Sequence, residues 1–315
     1  MTETSRWHEA NQQYLMEAIA QVQDMLSQAA TADALSPALG ERPEFQLSTA
    51  EPALETLCQR LGLSAFERSI LLLCAGMEIS SLMGSLCGQW QGTPSGTPTF
   101  GMALSVLPGV HWSAMLPEGP LRYWKLIELL PGAELTQCAL RIDERILHYL
   151  IGQQSLDERL QGTATLVDSA PDLPPSHQQI AQQIAVTGLV EGAPVAQLCG
   201  EAGATKVAIA TAAAAHVNKR LLLIRAEALP ADLTHMTLIQ RLCEREALLN
   251  NAVLVLGCDR VPATATSESL FAQLCLTVDR LVESCQRPLI ILSRDRRPQQ
   301  QRPLLTYDVA PPSTD

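Results

Sequence analysis

From Val195 to Val217 the chain reads VAQLCGEAGATKVAIATAAAAHV, an apolar run, a glycine-bearing turn and an alanine-rich stretch of helical composition. A buried strand that feeds a helix through a glycine loop restricts the chain to a few folds, because parallel strands joined by helices must be covered on both faces. Against the phosphate-loop pattern G-x-x-x-x-G-K-[ST], Gly200 and Lys206 stand at the first glycine and the lysine, whereas Thr205 replaces the second glycine and Val207 the metal-binding hydroxyl. A β-carbon at 205 crowds a backbone that must wrap a phosphate, and valine offers no oxygen to Mg²⁺, a cation that takes oxygen ligands. Gly203 and the N–H groups at the start of the helix still suit an anion. The segment reads as a loop shaped for a nucleotide, with its hydrolytic parts altered.

The surrounding pattern supports a sheet. Strands are expected at 194–199, 220–224 (RLLLI), 252–256 (AVLVL), 288–292 (PLIIL) and 304–309, separated by helices at 177–187, 205–217, 235–249 and 267–285. This is a doubly wound, parallel α/β architecture. In a phosphate-loop hydrolase the strand AVLVL would lead to an acidic pair; here Gly257, Cys258, Asp259 and Arg260 follow it, so Asp259 stands near the right place without a partner glutamate. Asp259 is read equally well as a loop acid paired with Arg260. Ser293 ends PLIIL near where a γ-phosphate would lie, which is also ordinary turn chemistry. Arg294, Arg296, Arg297 and Arg302 follow, and for any one of them a solvated charge is the better reading.

Four segments are expected: 1–50, a helix over 5–29 and a linker; 51–160, a small α+β domain; 161–176, a proline-rich linker containing SAPDLPPS; and 177–315, the α/β domain. In the first segment Leu15, Ala18, Ile19, Val22, Met25 and Leu26 share one helical face. In the second, helices are expected over 53–61 and after Ser64, whose spacing to Glu67 matches a capping box. Further helices follow Ser80 and span 101–107. Strands at 122–130 and 138–142 precede a helix at 143–151, a helices-then-hairpin order that fits a winged helix. Asp143, Glu144, Asp157 and Glu158 read as surface partners of nearby arginines, and Trp112, Tyr123 and Trp124, in an apolar pattern, as core residues ahead of the alternative of interface anchors.

Charge bears on partners. The net charge of −11 is uneven, with 9 basic and 18 acidic residues in 1–160. Such a field repels a phosphate backbone, so nucleic acid is not an expected partner of the first half. Nine scattered cysteines without a C-x-x-C pair read as small buried hydrophobes of a reducing, cytoplasmic setting. No run approaches a membrane span, and the six histidines show no metal spacing.

Residues 52–160, with LGLSAFERSILLLCAGMEI, PTFGMALSVLPGVHWSAMLPEGPLRYWKLIEL and LRIDERILHYLIG, resemble the variant winged-helix region at the N-terminus of a group of bacterial AAA-type ATPases. VAQLCGEAGATK, AVLVLGCDRV and RPLIILSRD resemble the degenerate first AAA module that follows it. Members of this group are similar to ATPases encoded with extracellular contractile injection systems, such as the antifeeding prophage and Photorhabdus virulence cassettes. The resemblance implies ATP and Mg²⁺ in the full-length protein, a hexameric ring, protein clients and a second, catalytic core. The chain is accordingly expected to be an N-terminal, bacterial cytoplasmic portion of a longer ATPase without its helical lid and inactive alone. Gly200, Gly203, Thr205 and Lys206 are carried over as the remnant phosphate loop, with Asp259 and Ser293 as positional counterparts. A self-sufficient nucleotide hydrolase and a winged-helix DNA-binding regulator are the competing readings.

Overall fold

The computed structural model describes residues 3–30, 43, 45, 51–131, 134–168, 172–259, 268–299 and 301–310. Of the sequence readings, most of the linker expected before residue 51, residues 169–171 of the proline-rich linker, Arg260 and the first residue of the helix expected from 267 lie outside them. The chain divides into two units, Met1–Ser155 and Leu156–Asp315.

The first unit begins with α1 (Glu3–Ala30), whose apolar face buries Leu15, Ala18, Ile19, Val22 and Leu26 within the unit's own core. It lies against α3 (Ala65–Ile79) and α4 (Ser81–Gln91), with α2 (Ala53–Leu61) entering just before them. The capping box forms: Ser64 Oγ accepts from the Glu67 amide at 3.1 Å and Glu67 Oε2 accepts from the Ser64 amide at 2.9 Å. Three helices are tied by one polar cluster, in which Tyr14 donates to Glu55 at 2.8 Å and Arg68 donates to the same oxygen through Nε at 3.0 Å. Burial, then the Glu55 carboxylate, pushes the Tyr14 hydroxyl up to about 12.

After α5 (Phe100–Val106), the strand expected at 122–130 is mostly not a strand. Residues Pro120–Tyr123 form one helical turn, α6, with proline at its first position, and Lys125 then adopts φ 53°. Only Ile127–Leu129, β1, is extended; it pairs antiparallel with β2 (Leu140–Ile142) as a short hairpin, which Thr99 extends by a bridge to Ala139. Helix α7 (Glu144–Leu150) follows. Asp143 and Arg145, expected on the surface, are buried.

The second unit starts at Leu156, inside the segment expected to belong to the first domain, and its first strand lies in the stretch expected to be a linker. Prolines begin only at 171, so Ala164–Val167 is free to extend as β3 and pairs antiparallel with β5 (Arg220–Arg225). Helix α8 (Pro175–Thr187) then leads to β4 (Val195–Cys199), α9 (Gly203–His216), β5, α10 (Leu233–Leu249), β6 (Ala252–Gly257), α11 (Glu268–Ser284), β7 (Leu289–Ser293) and β8 (Leu304–Asp308). The sheet order is β3-β5-β6-β7-β4-β8, with all neighbours parallel except the β3–β5 pair.

Residue alternation assigns the two faces. Leu222, Ile224, Leu254, Leu256, Leu289 and Ile291 pack with α10 and α11, whereas Leu221, Val253, Val255, Ile290 and Leu292 pack with α8 and α9. Because β4 sends its connection to one face across β7 and β6, and the later strands return on the other, the order reverses beside β4. In doubly wound sheets ligands bind beside such a reversal, outside the carboxyl ends of the strands, which here are those of β4 and β7.

Seven of the nine cysteines are buried, all nine are unbridged, and Cys138 and Cys275 are half-buried. Burial pushes the Cys258 thiol up to about 12 and the Cys87 and Cys285 thiols to about 11. Among the described residues no single helix is long and apolar enough to cross a membrane; α3 and α4 suffice together in length, but they bend by 117° at their junction.

Candidate functional site at the carboxyl edge of the sheet

Strand β4 ends at Cys199, and the chain turns through Gly200 at φ +140°. Only glycine fits there, because a β-carbon would stand 2.6 Å from the carbonyl oxygen of Val309, whose own amide donates to Cys199 at 2.7 Å. The first glycine of the motif therefore serves a close passage of the strand leaving β8. The Gly200 amide faces inward, toward Ser293 O at 3.2 Å and Arg294 O at 3.1 Å.

The loop is shorter than the motif suggests. Helix α9 starts at Gly203, two residues before the expected 205, and the Lys206 amide already donates to Ala202 O at 3.1 Å. Residues 200–202 alone connect strand and helix, so Thr205 lies within the first helical turn. Val207 packs against the apolar layer between α9 and the sheet, and its carbonyl accepts from Thr211 at 2.8 Å.

The side chain of Lys206 is fully buried (0% exposed). Its ammonium donates to Gly200 O at 2.5 Å, to Ser293 O at 2.6 Å and to Asp259 Oδ1. An ammonium has three donors, and these three acceptors match them in number. Asp259, which follows β6, retains 23% exposure. Its other oxygen lies near Gly203, where a β-carbon would stand 3.1 Å away. Gly200, Gly203, Lys206, Asp259 and Ser293 thus meet at one point, whereas Thr205 lies in the first turn of α9 and Val207 begins the next.

Ser293 has a second role. Its hydroxyl accepts from Gln197 Nε2 at 3.0 Å and contacts Cys199 Sγ at 3.7 Å, while Gln197 Oε1 accepts from Thr306 at 3.1 Å. These groups form a polar row across β8, β4 and β7 within an apolar sheet. Burial raises the Cys199 thiol above its usual range, against the opposing hydrogen bond of Ser293. Nothing in the apolar reading of VAQLC singles out Gln197; the β4–β7 register pairs it with Ile291 and pairs Cys199 with Ser293, and its amide reaches Ser293 diagonally across the two strands.

The four arginines take separate partners. Arg294 Nε lies 3.2 Å from Glu201 at the rim of the loop, Arg296 pairs with Asp308 and Arg297 with Asp279. The Arg296 hydrogen bond holds Asp308 below the usual carboxylate range. Arg302 donates to the carbonyls of Val282 at 3.1 Å and Cys285 at 2.6 Å, closing the C-terminal end of α11.

The first unit offers a separate surface. In the segment between α5 and α6, Val110, Trp112 and Leu116 are exposed, and Trp112 keeps 61% of its surface in solvent, against the expectation of core packing. Tyr123 and Trp124 are half-buried and meet edge-to-face at 4.7 Å. His111 anchors the segment, with Nε2 2.8 Å from Ser64 Oγ and Nδ1 2.8 Å from Ser113 Oγ.

A family model described as a winged helix domain, variant, matches residues 2–164. No curated protein matches the chain.

Proposed function

Because the chain belongs to the variant winged helix domain family, we propose that it acts as a regulatory and assembly region in which the first unit docks protein and the second is a degenerate nucleotide-binding module of AAA type. The observation that carries this reading is the caged ammonium of Lys206 at the point where the strand order reverses. A switch point with a strand–glycine–helix turn is where doubly wound sheets take nucleotides. The lysine is in place, but its donors are turned to the protein.

The residues present do not fit a Mg²⁺–nucleotide. Val207 offers no hydroxyl, Asp259 faces the Lys206 ammonium, and no group of three metal-ligating side chains occurs among the described residues. No hydrolytic step is derived for this unit. A polyphosphate held without metal suits the donor set better, through Lys206 and the first amides of α9.

Docking of protein by the first unit is supported by its acidity, which disfavours duplex DNA, and by the aromatic Trp112 presented to solvent. A contractile injection particle as client, and a hexameric ring in a longer chain, are proposed on the resemblance of residues 52–160 and of the later strands; co-purification with sheath or baseplate proteins tests the client. Calorimetry with ATP, with and without Mg²⁺, tests the module. The expected result is weak binding that Mg²⁺ leaves unchanged, with no phosphate release. Turnover that disappears in Lys206→Ala overturns it.

A further inference from the structure

We infer that Asp259 is an internal anion that closes the carboxyl-edge site against phosphate, an autoinhibitory contact built into the second unit; this rests on the reading of that edge as a nucleotide site. The ammonium of Lys206 has two kinds of acceptor. Gly200 O and Ser293 O are neutral and fixed by the β4 turn and the end of β7, whereas the Asp259 carboxylate is charged and reaches in from the segment after β6. A phosphate oxygen can replace only the third, since it offers the same charge-assisted bond.

The second oxygen of Asp259 makes the case independently. It lies beside Gly203, the first residue of the 14-residue helix α9, where the absence of a β-carbon leaves room for it. A carboxylate therefore sits at the positive end of a helix, the place where a phosphate is ordinarily held. Glu201 adds a further negative charge at the rim, beside Arg294. The ligand class that competes with Asp259 is the polyphosphate tail of a nucleotide, taken without a metal ion.

The test titrates pyrophosphate, without metal, into the full chain by calorimetry. Asp259→Asn is expected to bind at least tenfold tighter than wild type, and Asp259→Asn/Lys206→Ala to lose that gain. A cooperatively melting Asp259→Asn chain that binds no tighter overturns the inference, as does a gain that survives removal of Lys206. Should Asp259→Asn fail to fold, Gly203→Ala, whose β-carbon presses on Oδ2, takes its place: tighter binding that depends on Lys206 supports the internal anion, and unchanged binding overturns it. ATP titrated in parallel separates the readings. An Asp259→Asn chain that takes pyrophosphate with the expected gain but rejects ATP keeps the internal anion and removes the nucleotide. Wild-type binding of ATP that Asp259→Asn leaves unchanged does the reverse.

Discussion

Asp157 and Arg245, 88 positions apart in sequence, form an ion pair with 2% and 0% of their side chains exposed. Asp157 also accepts from the Arg159 amide at 2.8 Å and from Arg159 Nη2 at 2.6 Å, and Arg245 lies 3.5 Å from Glu246 Oε1. The arrangement ties the start of the second unit to α10. Arg245→Met is expected to destabilise that unit by up to about 3–5 kcal/mol, because it removes the buried cation from a buried carboxylate and leaves Arg159 to hold it. Urea denaturation should resolve the loss.

The same carboxylate gives a pH dependence. Burial pushes Asp157 up, but hydrogen bonds from Arg159 and the charge of Arg245 outweigh it, and the group ends below its ordinary value. A depressed folded value means a stabilisation that is complete above the unfolded value of about 3.9 and is lost as pH falls through the folded one. Wild type should therefore lose stability below about pH 4 more steeply than Asp157→Asn, as read by melting temperature against pH.

Tyr14 supplies the alkaline counterpart. Its hydroxyl is raised to about 12, so the neutral form is favoured in the folded state. The stabilisation is complete below the unfolded value of about 10 and is lost as pH rises from there toward 12. Tyr14→Phe should flatten this alkaline loss, and ultraviolet difference titration should show one fewer late-ionising phenol.

At Gly200 an alanine meets both a positive φ and the Val309 carbonyl at 2.6 Å, whereas at Gly192, with φ 76°, nothing lies within 4 Å of the added carbon. Gly192→Ala should cost about 1 kcal/mol, the left-handed penalty alone. Gly200→Ala should cost clearly more, about 1–3 kcal/mol for the backbone strain together with the displacement of residue 309. Parallel denaturation curves measure the difference.

Trp112→Ala should change stability by no more than about 0.5 kcal/mol, since an exposed side chain removed from solvent leaves no cavity. Unaltered melting together with loss of binding to a protein client would identify it as an interface anchor. A loss of several kcal/mol would instead place Trp112 in the core.

What the sequence makes legible follows the strength of local signals. The Ser64–Glu67 box and the strands RLLLI, AVLVL and PLIIL declare themselves within a few residues, and the structure has them within one or two positions. The helical turn at Pro120–Tyr123 is hidden because RYWKLIELL has strand composition, while the decisive residues are Gly119 and Pro120 just before it. Asp157 and Asp143 look like surface acids because local charge pairs suggest a solvated helix, and only the fold reveals that Arg245 arrives from α10. Lys206 and Asp259 are both singled out by the motif. Their direct contact is not, because the motif fixes positions along a chain and not which acceptor an ammonium chooses.

The distribution of sulfur has a practical side. With seven thiols buried, a bulky maleimide at limiting concentration has two half-open targets, Cys138 in the first unit and Cys275 in the second. The native chain thus carries one attachment point per unit for a fluorescent dye. Each dye would then report on the environment of its own unit without a single engineered cysteine.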